Sequence, residues 1–361
     1  MLFGGFPLEV ACKLDASCPG YLNRVLYASA LKRQAQFAAY AEIDFSQPDI
    51  LAARLRAFAP ALCDPNLDPV AQIARALTSL RARQIVQGVY GGVPKGFLGL
   101  LARLGGDPLP DPADYRLAFS LFADPANKAR AKLLGQIEGQ ISPGKIKVAA
   151  RLDPVLLHKA VLDRVYDVER VEALHAALAL IRALVPDATD AALRQSLDRV
   201  SPSDHDMSKW LLGWLRQMRR VPVIPPIAQG DTELRLLQGA DMPELGRRFA
   251  NCAADRIGYI AVGSRLYYEW IGSGAPAVVE LRCLQGGRFL IEDIKGLRNA
   301  SPAPAVATAI RARLSKAGVL TYAGYGGSSV GGALMTLLGA WDFDDQGEPE
   351  PFLADLLREA A

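Results

Sequence analysis

Histidine is almost missing from this chain. His158, His175 and His205 are the whole supply, and none stands at metal-ligand spacing from a cysteine. With no CxxC pair and no HExxH, the residues offer no structural zinc site, and they imply no particular cofactor. The five cysteines, Cys12, Cys18, Cys63, Cys252 and Cys283, are odd in number and scattered, a pattern of reduced thiols rather than of a disulfide framework. Long hydrophobic runs are lacking too. The most apolar stretch, Leu174 to Val185, is broken by Arg182 and falls short of a bilayer span. The N-terminal MLFGGFPLEVACKL has no basic segment ahead of its apolar residues and includes Glu9, so it does not read as a signal peptide. A cytoplasmic protein without a membrane partner is the expectation. Strong charge of either sign is also absent: the net charge is +3 over 361 residues. That excludes the overall basic character of a dedicated nucleic-acid binder, though not a local basic cluster.

What the chain does have is apolar residues, at 50%, enough for a well-cored protein and, at this length, for two cores. From Leu22 to Arg220 the pattern is helical almost throughout. Val168, Val171, Leu174, Leu178, Ile181 and Val185 recur at three and four and form one apolar stripe, with Asp167 placed to cap its start and Pro186 to stop it. Similar periodicity predicts helices over Asp49–Leu62, Val70–Val89, Asp114–Phe122 and Val155–Val165. Asp-Pro recurs at Asp64, Asp68, Asp107, Asp111, Asp124 and Asp153. Aspartate caps a helix and proline suits its first position, so these dipeptides read as helix starts. Their irregular spacing argues against a fixed-period solenoid.

Val221 to Gly230, VPVIPPIAQG, reads as a linker, because proline denies it helical hydrogen bonds. Beyond it the texture changes. A helical segment, Met242–Val262, precedes three strand-like runs at Arg265–Ile271, Ala277–Leu284 and Arg288–Lys295. Gly286-Gly287 between the last two is a hairpin signal, since glycine supplies the positive φ of such turns. A helix over Ala305–Ala317, a glycine-rich loop over Gly324–Gly332, another helix from Ala333 and an acidic tail from Asp342 follow. The expected architecture is mainly α: a helical bundle or irregular helical array over 1–222, then a small α+β domain over 223–361 with a three-stranded antiparallel sheet.

The hairpin concentrates the chemistry. With a two-residue turn Glu280 opposes Asp293; with a three-residue turn it opposes Glu292. Either way two carboxylates share a face, which raises one pKa or invites a divalent cation. A solvated face neutralised by Arg282 and Lys295 is the other reading. Asn251-Cys252, on the helix ahead of the sheet and near Arg247 and Arg248, is a candidate nucleophile or a packing thiol. His205 is a distant candidate base, or a capping-loop residue. Gly296, Leu297, Arg298 and Asn299 leave the third strand, where ligands are often gripped, or simply turn the chain into the next helix. The Gly324–Gly332 loop lacks a P-loop lysine and Rossmann spacing. Arg216, Arg219 and Arg220 at the end of Ser208–Arg220 suit the helix dipole, or join Lys128, Arg130, Lys132, Lys145 and Lys147 in a phosphate-binding patch.

The segment Leu245–Pro302 resembles the C-terminal domain of PcfJ-like proteins, found on plasmids and in phage-related regions. Asn251-Cys252, Gly263 ahead of the first strand, the Ala277–Leu281 strand with Glu280, and the Gly296 and Asn299 pair carry the resemblance. The family prefers His-Cys-Val where this chain has Asn-Cys-Ala, and a polar residue such as Gln where it has Lys295. The resemblance implies a compact α+β domain in a mobile genetic element or phage-defence setting, and no particular reaction. Two functions follow from these residues. One is a ligand-binding or catalytic C-terminal domain with Cys252, Glu280 and Asp293 as catalytic groups and Asn251, Lys295, Gly296, Arg298 and Asn299 as ligand-binding ones. The other is a non-catalytic helical scaffold for a protein or nucleic-acid partner.

Overall fold

The computed structural model describes residues 4–201 and 207–321. His205, the Gly324–Gly332 loop and the segments expected from Ala333 and Asp342 lie outside them. The chain gathers into two compact units, one comprising Met1–Ala177 with Asp190–Met207 and the other Leu178–Thr189 with Ser208–Ala361. The architecture is mainly α, with an α+β region toward the C-terminus.

The first unit is built from short helices whose starts are chemically marked. Asp68 caps Pro69–Ser79 by accepting from the Val70 and Ala71 N–H groups, and Asp111 caps Pro112–Ala123 through the Ala113 N–H. Asp124 and Asp153 start single 3-10 turns in the same way. Asp64 and Asp107 start no helix. The Asp64 carboxylate instead accepts from the Asn66 N–H in a tight turn, and the Asp107 carbonyl accepts from Gln34 Nε2 at 2.6 Å. The segment expected as one helix over Val70–Val89 is two, Pro69–Ser79 and Ala82–Tyr90, parted by Leu80 and Arg81 in extended conformation. Val155–Val165 likewise forms a 3-10 turn and a four-residue helix, Lys159–Leu162.

Gln34 and Tyr115 are a buried polar pair inside this unit that is matched. The Tyr115 hydroxyl donates to Gln34 Oε1 at 2.8 Å, and Gln34 Nε2 also donates to the Gly105 carbonyl. Such closed pairing is what makes a buried amide tolerable. Aromatic packing does the rest, with Tyr90 stacked on Phe119 at 4.0 Å between centroids and Phe97 edge-on to Phe119. The helix Val168–Leu184 forms as its periodicity predicts. Asp167 accepts from the Arg170 N–H, and Val171, Leu174, Leu178 and Ile181 are buried.

In the second unit four antiparallel strands run in the order β1 (Leu234–Leu237), β2 (Arg265–Trp270), β3 (Ala277–Cys283) and β4 (Phe289–Lys295). The expected three strands are thus joined by a fourth, β1, too short to show a period-2 pattern. Alternation divides β2 and β3 into two faces. Leu266, Tyr268 and Trp270 of β2 join Val279, Leu281, Phe289 and Ile291 in a core covered by Val306, Ile310 and Leu314 of the helix Pro304–Lys316. Ile227, from the proline-rich stretch, is buried in the same core, and its N–H and C=O both engage the Tyr268 hydroxyl.

The opposite sheet face is polar and meets the helices Met242–Phe249 and Ile257–Ala261. Glu269, 4% exposed, takes hydrogen bonds from both Arg248 and Arg235, which ties the first of these helices to β1 and β2. The continuous helix expected over Met242–Val262 is broken where Ala250 enters the left-handed region, at φ 49° and ψ 51°. An L-residue with a Cβ is strained there by about 1 kcal/mol, which glycine escapes. Ala250→Gly therefore stabilises the protein by about 1 kcal/mol, read as a higher urea midpoint at unchanged m-value.

Candidate functional site

The polar sheet face is organised by a slip in strand register. Gln285, Gly286 and Gly287 form a three-residue turn, with both glycines at positive φ, and the Leu284 N–H donates to the Arg288 carbonyl. Leu281 accordingly pairs with Ile291, as a three-residue turn requires. A β-bulge then shifts the ladder, and Glu280 pairs with Asp293. Both registers considered from the sequence occur in one hairpin, and Glu280 sits at the step between them. The side chains resolve the ambiguity. Glu280 is ion-paired with Arg265, which also lies 3.7 Å from Glu292; Arg282 holds Glu292 at 2.5 Å. Asp293 turns to Lys295 at 3.3 Å and accepts from the Ile294 N–H. Glu280 is thus neutralised by Arg265 rather than by Arg282 or Lys295. Among the described residues no group of three or more His, Cys, Asp and Glu side chains could hold a metal ion.

Tyr267 faces Glu280 directly across β2 and β3. It is 3% exposed, and its hydroxyl makes no hydrogen bond of normal geometry, with the Glu280 carboxylate its neighbouring acceptor; Glu292 Oε2 is buried and unpartnered as well. A buried phenol without a partner is costly and calls for an explanation. Burial, then the neighbouring Glu280 carboxylate, pushes the Tyr267 pKa well above its usual value, so the phenol is a proton donor at any physiological pH.

The other wall is the chain after the Ala250 break. Asn251 and Cys252 lie in this turn, not on a helix: Asn251 Oδ1 accepts from the Ala253 N–H, and Cys252 caps the 3-10 turn Ala253–Arg256 with its thiol exposed. Burial opposes the Arg256 charge, but Glu280, Tyr267 and Cys252 raise its pKa. Tyr259 is flanked by two guanidinium groups, Arg256 at 5.6 Å from its centroid and Arg265 at 5.1 Å. Cation–π contact of this kind orients a guanidinium without neutralising it.

The turn after β4 is a second feature. Arg298 and Asn299 are consecutive residues at positive φ, 54° and 59°, both exposed, and their turn packs against Met242–Phe249. Asparagine tolerates that region and arginine does not, so the backbone here holds strain of the sort found at binding sites. Gly296, buried, donates its N–H to the Ala300 carbonyl and closes the turn.

The basic candidates fare differently. Helix Ser208–Leu215 ends before Arg216, Arg219 and Arg220, all exposed. They lie past the helix rather than in its last turn. In the first unit Lys147 is spent on buried Asp114 at 3.1 Å, and Arg130 on the Ala150 and Leu152 carbonyls. A pocket of about 390 Å³ in that unit, lined by Leu104, Asp107, Leu109, Gln140 and Ser142, gathers little chemistry.

Arg256, Arg265 and Tyr267 were not among the sequence candidates. Arg265, Tyr267 and Glu269 do carry a period-2 signal, alternating with Leu266, Tyr268 and Trp270. No helix among the described residues is long and apolar enough to cross a membrane. The chain matches no protein-family model, and neither a curated protein nor a solved structure is detectably similar to it.

Proposed function

We propose that the second unit carries the activity, as a ligand-binding or catalytic α+β module of PcfJ-like type, serving a mobile genetic element or phage defence. Its centre is the polar sheet face: Glu280 and Tyr267 as acid–base groups, Cys252 as nucleophile, Arg256 as anchor. In this reading Asn251, Lys295, Gly296, Arg298 and Asn299 serve as ligand-binding groups and Asp293 as a further carboxylate. The observation that carries the reading is the buried Tyr267 hydroxyl, which faces Glu280 and makes no hydrogen bond of normal geometry. An unpaired hydroxyl beside charged groups is better suited to receiving a ligand than to stabilising a sheet.

Thermal-shift screening of the full chain against a library of small metabolites tests this. At least one compound raises the midpoint of the wild type by several degrees and leaves Tyr267→Phe and Glu280→Gln unmoved. If every compound acts alike on all three proteins, the reading is wrong. The scaffold reading draws on the exposure of Arg216, Arg219 and Arg220, and requires DNA or RNA binding at low salt that weakens steeply as salt rises.

A further inference from the structure

We propose that the cleft of the first unit lined by Asp107 and Gln140 binds a small organic amine with an apolar body, and that Asp107 is the counter-ion of its ammonium group. The proposal lies wholly within that unit and is independent of the reading above. The cleft encloses about 390 Å³, a volume that suits a small molecule rather than a protein segment. Leu104, Leu109 and Ile141 supply its buried apolar side, while Asp107, Gln140 and Ser142 are exposed along it. No histidine or cysteine lines it, which suits binding rather than catalysis.

Asp107 is the one charged residue among those lining the cleft. Its carbonyl accepts from Gln34 Nε2, but among the described residues its carboxylate enters no hydrogen bond or ion pair. Gln140 donates its Nε2 to the Leu104 carbonyl at 3.1 Å, which leaves Oε1 as a second acceptor. Ser142 Oγ already accepts from the Lys145 N–H. Arg103, next to Leu104 in sequence, is spent on the Gly99 and Gly135 carbonyls. Arg33 lies against Gly106 without lining the cleft. An unpaired carboxylate and a free amide oxygen beside an apolar surface select a donor-rich cation, not an anion.

The walls are held in place by the fold itself. Buried Gln34 donates to the Gly105 and Asp107 carbonyls, and the Tyr115 hydroxyl accepts from the Leu109 N–H at 3.0 Å. Opposite them, the Ile141 N–H donates to the Arg103 carbonyl at 2.8 Å. Gly105, at φ 86°, lets the walls meet, because a Cβ there would come within 2.6 Å of Gln140 Nε2. A cleft tied in this way needs little ordering when a ligand enters.

Titration of the ¹⁵N-labelled full chain with benzylamine, benzyl alcohol and benzoate tests the proposal, because the three probes share an apolar body and differ in charge. Benzylamine moves the amide signals of residues 105–109 and 140–142 along one saturating curve, with a dissociation constant on the order of 1 mM for a probe of this size. Benzyl alcohol binds about fivefold more weakly, and benzoate leaves these signals in place. Asp107→Asn weakens benzylamine about fivefold, the upper range for an exposed ion pair, and leaves benzyl alcohol unchanged. Glu138→Gln removes a nearby exposed carboxylate that is already paired with Lys159, and alters neither affinity. Benzoate matching benzylamine, a scattered response that does not saturate, or wild-type affinity for benzylamine in Asp107→Asn overturns the proposal.

Discussion

Replacing Glu269 by glutamine costs the protein about 2–3 kcal/mol, read as a fall in the urea or thermal unfolding midpoint. Removing one member of a buried ion pair typically costs about 3–5 kcal/mol. The lower figure applies because Arg235 and Arg248 are each nearly half exposed and water screens them once the carboxylate is gone. The loss is nonetheless large, since four hydrogen bonds converge on this one carboxylate. Burial alone would raise the Glu269 pKa; the hydrogen bonds from Arg248 and Arg235, with their charges, overcome it and hold the carboxyl below its ordinary value. A lowered folded pKa means that the unfolded chain binds the proton more readily. The stabilisation is therefore complete above the ordinary glutamate value of 4.5 and disappears as pH falls below it through the folded pKa. Glu269→Gln flattens the stability profile in that acidic window, whereas an unchanged slope would show that the carboxylate is not what ties the helix to the sheet.

Trp270→Ala has the larger effect, about 4 kcal/mol, as for other buried aromatic deletions. The ring is 1% exposed, and its Nε1 donates to the Ser273 carbonyl at 3.1 Å. It also lies across Gly272, where an added Cβ would come within 2.5 Å of ring carbon Cζ2. Gly272→Ala is therefore destabilising in the wild type and close to neutral once the ring has been removed. That coupling, measured by a double-mutant cycle, distinguishes a specific steric contact from general loosening of the sheet. Additive losses would refute it.

Much of this architecture is written in short-range chemistry. Aspartate followed by proline marks the helix starts at Pro69 and Pro112, and the three-and-four spacing of Val171, Leu174, Leu178 and Ile181 marks the long helix, because capping and amphipathicity are local. The break at Leu80 and Arg81 contains neither glycine nor proline; the helices on either side both pack on Pro48–Phe58, and Gln84 accepts from the Arg81 N–H at the start of the second. Ala250 hides its break for the same reason, occupying a position where glycine would have announced it. The hairpin arithmetic offered Glu280 either Asp293 or Glu292, and the ladder pairs it with Asp293 across a bulge that leaves Glu292 without a strand partner. What the arithmetic could not supply was the cation. Which cation neutralises Glu280 depends on how Arg265, Arg282 and Lys295 project from the bulged ladder.

The strand order has a consequence for how the sheet assembles. Each strand lies beside its neighbour in sequence, and β2, β3 and β4 are joined by short loops. Closing such loops loses little chain entropy, so this meander can zip from the Gly286-Gly287 turn outward, early and independently of the rest. The first strand cannot join so soon, because its connection to β2 carries Met242–Phe249 and Ile257–Ala261 and must be ordered with them. The Glu269 carboxylate, on the strand they share, is consequently a late lock. Arginines 235 and 248 reach it only when the slowest segment docks, and the polar face is finished at the last step of folding.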